Sequence, residues 1–168
     1  MTTTTPIRNL LAGQTLSADE RERLLRTAHR LCSAAQEGHR GTPLRGRHVA
    51  IAVSRPRERQ ADPLEIAVTR LGARVSVIDQ RALVIAPDPS RLGRLLGNLY
   101  DAVDCDALSP EEARELQRVA GVPVFDGLAC ADHPIRSLLP TLQATEKALG
   151  PDEALSSLLQ AALLETMS

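Results

Sequence analysis

The residues with the clearest chemical potential lie in one short stretch, SRPRERQADPLEIAVTRLG, residues 54–72. Arg55, Arg57 and Arg59 sit where an apolar run, His48–Val53, hands over to an amphipathic segment with Leu64, Ala67, Val68 and Leu71 at helical spacing. Strand-to-helix junctions bind anions, because free backbone N–H groups and the helix dipole point at the ligand. The three arginines therefore read as an anion cradle for a phosphate-like group. They read equally as a solvated turn of mixed charge, and Glu58 between them favours that second reading. His133 and Arg136 form a second pair, in His-Pro-Ile-Arg, where a strand gives way to a helix. His133 is either a ligand group or a helix-start residue held by Pro134. Arg136 either turns into the same pocket or forms an ion pair with Asp132 or Glu146.

Asp104 and Asp106 flank Cys105 at the end of a short strand, where α/β sheets bind ligands. No third carboxylate is close in sequence, so no metal site is expected. Acidic neighbours raise a thiol pKa, which argues against Cys105 as a nucleophile. Cys32, Cys105 and Cys130 are widely spaced without a Cys-x-x-Cys pair, so neither a disulfide framework nor a zinc site is expected. No cofactor is implied.

The elements that must position these residues alternate. Helices are expected at 17–37, capped by Ser17, at 60–71, 91–100, 109–121 and 153–166, the last capped by Asp152. A segment at 133–149 is helical but carries Pro140, which should kink or interrupt it. Strands are expected at 48–53, 74–78, 102–105 and 122–125, and the apolar run 82–86 is either an edge strand or a covered loop. Strands alternating with helices give an α/β three-layer sandwich, a parallel sheet of four to five strands with helices on both faces. The chain divides into a loose tail at 1–7, a domain at 8–150 and a C-terminal helical segment at 151–168 that packs back on the domain.

With 168 residues, the chain has the length of one domain. A net charge of −1, with Tyr100 and Phe125 as the only aromatics, gives neither the electrostatic footprint nor the stacking platform of a nucleic-acid binder. No apolar run is long enough to span a membrane, and the start has no signal-peptide core, so a cytoplasmic protein is expected.

Three phrases carry a resemblance: "LSADERERLLRTAHRLCSA", "LRGRHVAIAVSRPRERQADPLEIAVTRLGARVSVID" and "YDAVDCDALSPEEARELQRVAGVPVFDGLACADHPIRSLLPTLQATEKALG". In order and spacing they resemble the N-terminal, carbamoyl-phosphate-binding domain of the aspartate/ornithine carbamoyltransferases. The resemblance implies a role in amino-acid metabolism and a homo-trimer built through this domain. It also implies that the loop after the first strand, Arg57-Glu-Arg-Gln-Ala61, corresponds to the family's phosphate loop S-T-R-T-R. Only Arg59 matches; the hydroxyl donors are gone and Glu58 stands beside the expected anion. Where the family has an arginine after the third strand, this chain has Asp106. The family's H-P-x-Q reads His133-Pro134-Ile135-Arg136, so the His stays and the Gln becomes Arg. The H-C-x-P motif of the family's second domain does not occur in these residues, and the last helix is similar in character to the helix that returns to the first domain.

These departures lead to two expectations. One is a stand-alone carbamoyltransferase-like domain without catalysis, with Arg55, Arg57, Arg59, His133 and Arg136 as a remnant anion site, acting as a binding or assembly module, with a full-length carbamoyltransferase as one partner. The other is an active carbamoyl-phosphate-dependent transferase, completed by a partner chain or using a different acceptor.

Overall fold

The structure, a computed structural model, describes residues 7, 10–39, 41–54, 62–84 and 88–167. Local capping signals set most helix starts. In α1 (Ala18–Gln36) the Ser17 hydroxyl accepts the Glu20 amide while the Glu20 carboxylate accepts the Ser17 amide. The same reciprocal box, Ser109 with Glu112, starts α5 (Pro110–Ala120), which ends at Gly121 in the left-handed region. Asp62 caps α2 (Pro63–Arg70) by accepting the Leu64 amide, and Asp88 caps α4 (Pro89–Leu99) by accepting the Arg91 amide.

Four strands, β1 (His48–Val53), β2 (Arg74–Asp79), β3 (Ala102–Cys105) and β4 (Val124–Phe125), form a parallel sheet in the order β2-β1-β3-β4. This is the α/β architecture expected, with four strands. The run at 82–86 does not add a fifth strand in its described part. Arg81–Val84 forms a single helical turn, α3, because the Asp79 carboxylate accepts the Arg81 amide and bends the chain off the edge of β2. Residues 85–87 of that run lie outside the described residues, as do 60 and 61 of the helix expected from 60. The helical segment over 133–149 is interrupted, as Pro140 leads one to expect, just ahead of that proline. A 3-10 helix, Pro134–Leu138, passes into α6 (Leu139–Thr145), and Pro140 sits in the first turn of α6, where its missing N–H costs nothing. The last helix, α7 (Pro151–Met167), starts before Asp152, which lies in its first turn, and the Glu153 carboxylate accepts the Gly150 amide.

The sheet separates two apolar clusters. Val49 and Ile51 of β1 point to the side of α1, α2, α6 and α7; Ala50 and Ala52 point to the side of α4 and α5. Alternation along β1 with both faces buried is what a helix-covered parallel sheet requires. The α4–α5 contact is close because α4 presents glycine: a Cβ at Gly97 would collide with the Ala120 carbonyl. On the other side α7 lies among α1, α2 and α6. Its Leu155, Leu158, Leu159 and Leu163 are buried, each stabilising by roughly 1.5–3 kcal/mol before entropy.

Candidate functional site

In this strand order, β1 is followed in sequence by β2 on one side and adjoined by β3 on the other. The crevice outside the carboxyl ends of β1 and β3 is thus the switch point at which open α/β sheets bind ligands. The chain leaves β1 there through Ser54 and returns at Asp62, and β3 delivers Asp104, Cys105 and Asp106 to the same edge. Arg55, Arg57 and Arg59, with Glu58, belong to the connection between Ser54 and Asp62 and lie outside the described residues.

Asp104 is 6% exposed, and its Oδ1 accepts the amides of Gly127 (3.1 Å) and Leu128 (2.8 Å). Burial pushes its carboxyl up to about 7 against the pull of those amides, and the Asp62 and Asp106 carboxylates push the same way. Gly127, at φ 93, makes this grip possible: a Cβ there would lie 2.6 Å from Cys130 Sγ and 3.0 Å from Asp106 Cβ. The thiol of Cys130 is pushed up to about 11, first by burial and then by Asp106, Asp104, Asp132 and Asp62. Cys105 is buried and likewise raised to about 11, chiefly by burial. Neither thiol is an activated nucleophile.

The structure puts His133 and Arg136 beside the same crevice but occupies both with the protein's own backbone. His133 is 2% exposed and caps the 3-10 helix, its Nδ1 accepting the Ile135 amide at 3.3 Å. That fixes the proton on Nε2, which donates to the Leu10 carbonyl at 3.3 Å. Burial lowers the imidazole pKa, so the ring is neutral near pH 7. Arg136 donates from Nε to the Cys130 carbonyl (2.8 Å) and from Nη2 to the Ala129 carbonyl (2.6 Å). It pairs with neither Asp132 nor Glu146; the Glu146 carboxylate instead accepts from His29 Nδ1 at 2.9 Å. Arg136 thus clamps the loop that carries Cys130.

Asp126, immediately after β4, escaped the sequence reading. Its Oδ1 accepts the Ala12 amide at 2.7 Å, while its Oδ2 is buried without a partner among the described residues. The available signal was position alone, a carboxylate one residue beyond a strand on the ligand-binding edge of the sheet. Among the described residues no group of three His, Cys, Asp or Glu side chains is placed to hold a metal ion. No described helix is long and apolar enough to cross a membrane.

The family model for the aspartate/ornithine carbamoyltransferase, carbamoyl-P binding domain, matches residues 8–146. A catabolic ornithine carbamoyltransferase of Pseudomonas putida is 31% identical over 141 residues, covering 83% of this chain and 42% of the relative. That of Burkholderia mallei is 33% identical over 141 residues with the same coverage, 83% and 42%. The chain therefore spans less than half the length of these relatives. Among solved structures, the ornithine carbamoyltransferase from Pyrococcus furiosus superposes with a TM-score of 0.65 at 24% identity, covering 81% of this chain and 46% of that one. The catalytic subunit of M. jannaschii aspartate transcarbamoylase gives 0.66 at 19% identity, covering 84% and 47%. With a family model matched over most of its length, the chain belongs to the aspartate/ornithine carbamoyltransferase family, through the domain described as carbamoyl-P binding.

Proposed function

We propose that this chain is a carbamoyltransferase-like module that does not itself transfer a carbamoyl group and that acts in binding or assembly. The observation that carries this reading is the charge at the end of β3. Asp106 follows β3 at the switch point, in the place where the family resemblance calls for a guanidinium, with the buried Asp104 beside it. Transfer from carbamoyl phosphate needs cations and donors fixed around a departing phosphate. A carboxylate at Asp106 repels that dianion. The two groups that the resemblance assigned to the pocket, His133 and Arg136, are spent on the carbonyls of Leu10, Ala129 and Cys130. Arg55, Arg57 and Arg59 remain as a weak site for a phosphate-like anion. The assembly proposed is a homo-trimer through this domain, with a full-length carbamoyltransferase as the partner chain.

The test is an assay of the purified chain with carbamoyl phosphate and either ornithine or aspartate. The expected result is no citrulline or carbamoyl-aspartate above the protein-free control. Product that disappears in Arg59→Ala would overturn the reading. Light scattering reports the assembly, and a monomer at all concentrations would remove the trimer.

A further inference from the structure

On the side of the sheet away from α4 and α5, a cleft of about 860 Å³ opens between α1, the C-terminal end of α2 and α7. That volume lies in the range of small-molecule sites. Its floor is one face of α7, from Glu153 through Ser157 and Gln160 to Leu164. At a helical rise of about 1.5 Å per residue the floor is roughly 16 Å long. The floor is long enough for an elongated small molecule. Leu31 and Ala34 of α1, Pro43, Leu71 and Leu149 supply apolar walls.

Side-chain contacts fix how α1 lies on α7. Thr27 Oγ1 donates to Glu165 Oε1 at 2.6 Å, and Cys32 Sγ to Ser157 Oγ at 3.3 Å, so the helices run antiparallel. Arg30 falls between these two contacts, at the level of Gln160. On the opposite wall Arg70, the last residue of α2, reaches Ser156 Oγ with Nη1 at 3.0 Å, and Gln160 Nε2 donates to the same oxygen at 3.2 Å. Both arginines line the cleft, Arg30 from α1 and Arg70 from α2, with α7 as the floor between them. Among the described residues Arg30 forms no ion pair or hydrogen bond, and Arg70 has no carboxylate partner. The carboxylates that line the cleft stand toward its ends. Glu165 is taken by Arg23 (2.7 Å) and Thr27, and Glu153 accepts the Gly150 amide at 3.4 Å. The middle of the cleft carries positive charge over an apolar lining.

We propose that this cleft binds an elongated organic anion, an apolar body ending in a carboxylate, with the carboxylate held between Arg30 and Arg70. Guanidinium groups bind carboxylates through paired charge-assisted hydrogen bonds, which fixes the head. Burial of the body against the leucine walls supplies the rest. The site is separate from the crevice at the carboxyl ends of the strands and does not depend on its reading.

Decanoate serves as the probe, titrated by calorimetry into the full chain below its micellar range, with amide NMR shifts locating it. Saturable binding of one decanoate per chain is expected, with shifts centred on α1 and α7. Arg30→Gln and Arg70→Gln should each weaken binding roughly tenfold or more. Both residues are exposed, so the ligand-free melting temperature should hold. Ala34→Phe, which fills the cleft, should abolish binding. Decylamine, with the same body and the opposite charge, should not bind. The proposal is overturned if no saturable binding occurs below about 1 mM, if decylamine binds as well as decanoate, or if both arginine variants bind like the parent.

Discussion

Asp101 and Asp104 stand three positions apart at opposite ends of the same short strand, and the protein treats them in opposite ways. At the amino end, Asp101 accepts Arg47 Nη1 at 2.7 Å and the His48 amide at 2.8 Å. Its pKa is lowered: some burial opposes this, and the Arg47 and His48 bonds outweigh it. At the carboxyl end, Asp104 has two amides but no cation among the described residues, and its pKa rises to about 7. The amino edge of the sheet is closed by ordinary pairing. The carboxyl edge gathers a buried carboxylate of raised pKa, a neutral buried histidine and, on Asp126, a carboxylate oxygen without a partner among the described residues. Groups that cost stability concentrate where a fold places its ligands. In this protein they gather at the carboxyl edge of the sheet, around the end of β3 and the loop that follows β4.

The largest expected effect separates the two aspartates by pH. A carboxyl raised from 3.8 to about 7 on folding contributes stability that is fully present below about pH 4 and is lost as pH rises to about 7. Asp104→Asn keeps an oxygen for the Gly127 and Leu128 amides and cannot ionise. The variant should therefore gain on the parent protein as pH rises from 4 to 8, by on the order of 4 kcal/mol at most. Urea unfolding at the two pH values measures it. The depressed His133 works with the opposite sign, losing stability as pH falls below its unfolded value of about 6.5, but it is common to both proteins and cancels in the difference. A difference that does not change with pH would mean that a counter-charge reaches Asp104 in solution.

Asp101→Asn should do the reverse, and by less. It removes the charge from an ion pair whose side chains are 52% and 31% exposed, so the loss near neutral pH should be about 1 kcal/mol. A lowered folded pKa contributes stability that is present above the unfolded value and lost as pH falls through the folded one. The cost of the variant should therefore fade below about pH 4. A cost that persists in acid would show that Asp101 acts through geometry and not charge.

How much of this was legible in the sequence follows from the range of the interactions involved. Ser17 with Glu20, Ser109 with Glu112, and Gly72 and Gly121 act within a few residues, and the helices they bound begin or end close to where they stand. The alternation of elements sufficed for a parallel, helix-covered sheet. The interruption inside 133–149 was legible in Pro140, but the change from 3-10 to α geometry was not, because Ile135, Leu138 and Leu142 keep one apolar face through it. At the crevice, residue types and strand ends could be read, but occupancy could not. The fate of His133 is decided by the Leu10 carbonyl, 123 positions away, and that of Arg136 by two loop carbonyls with no sequence signature. The cleft arginines, Arg30 and Arg70, are ordinary surface residues of their helices until the packing of α7 makes them line one cleft.

The remaining effect concerns Asp126, the third carboxylate of the comparison. Its Oδ1 is used by the Ala12 amide, which ties the segment before α1 to the end of β4. Asp126 is 5% exposed, and its buried Oδ2 has no donor among the described residues. An unpartnered buried carboxylate oxygen costs more than an unpartnered amide, since the amide carries no net charge to desolvate. Asp126→Asn retains the acceptor for Ala12 and removes the charge, so it should stabilise the protein by about 1 kcal/mol. Asp126→Leu removes the acceptor as well and should destabilise it by about 1–3 kcal/mol, because the Ala12 N–H is then left unpaired. Denaturant midpoints of the two variants against the parent settle the sign. If Asn destabilises as Leu does, a donor reaches Oδ2 in solution, and Asp126 belongs with the well-paired Asp101 and not with Asp104.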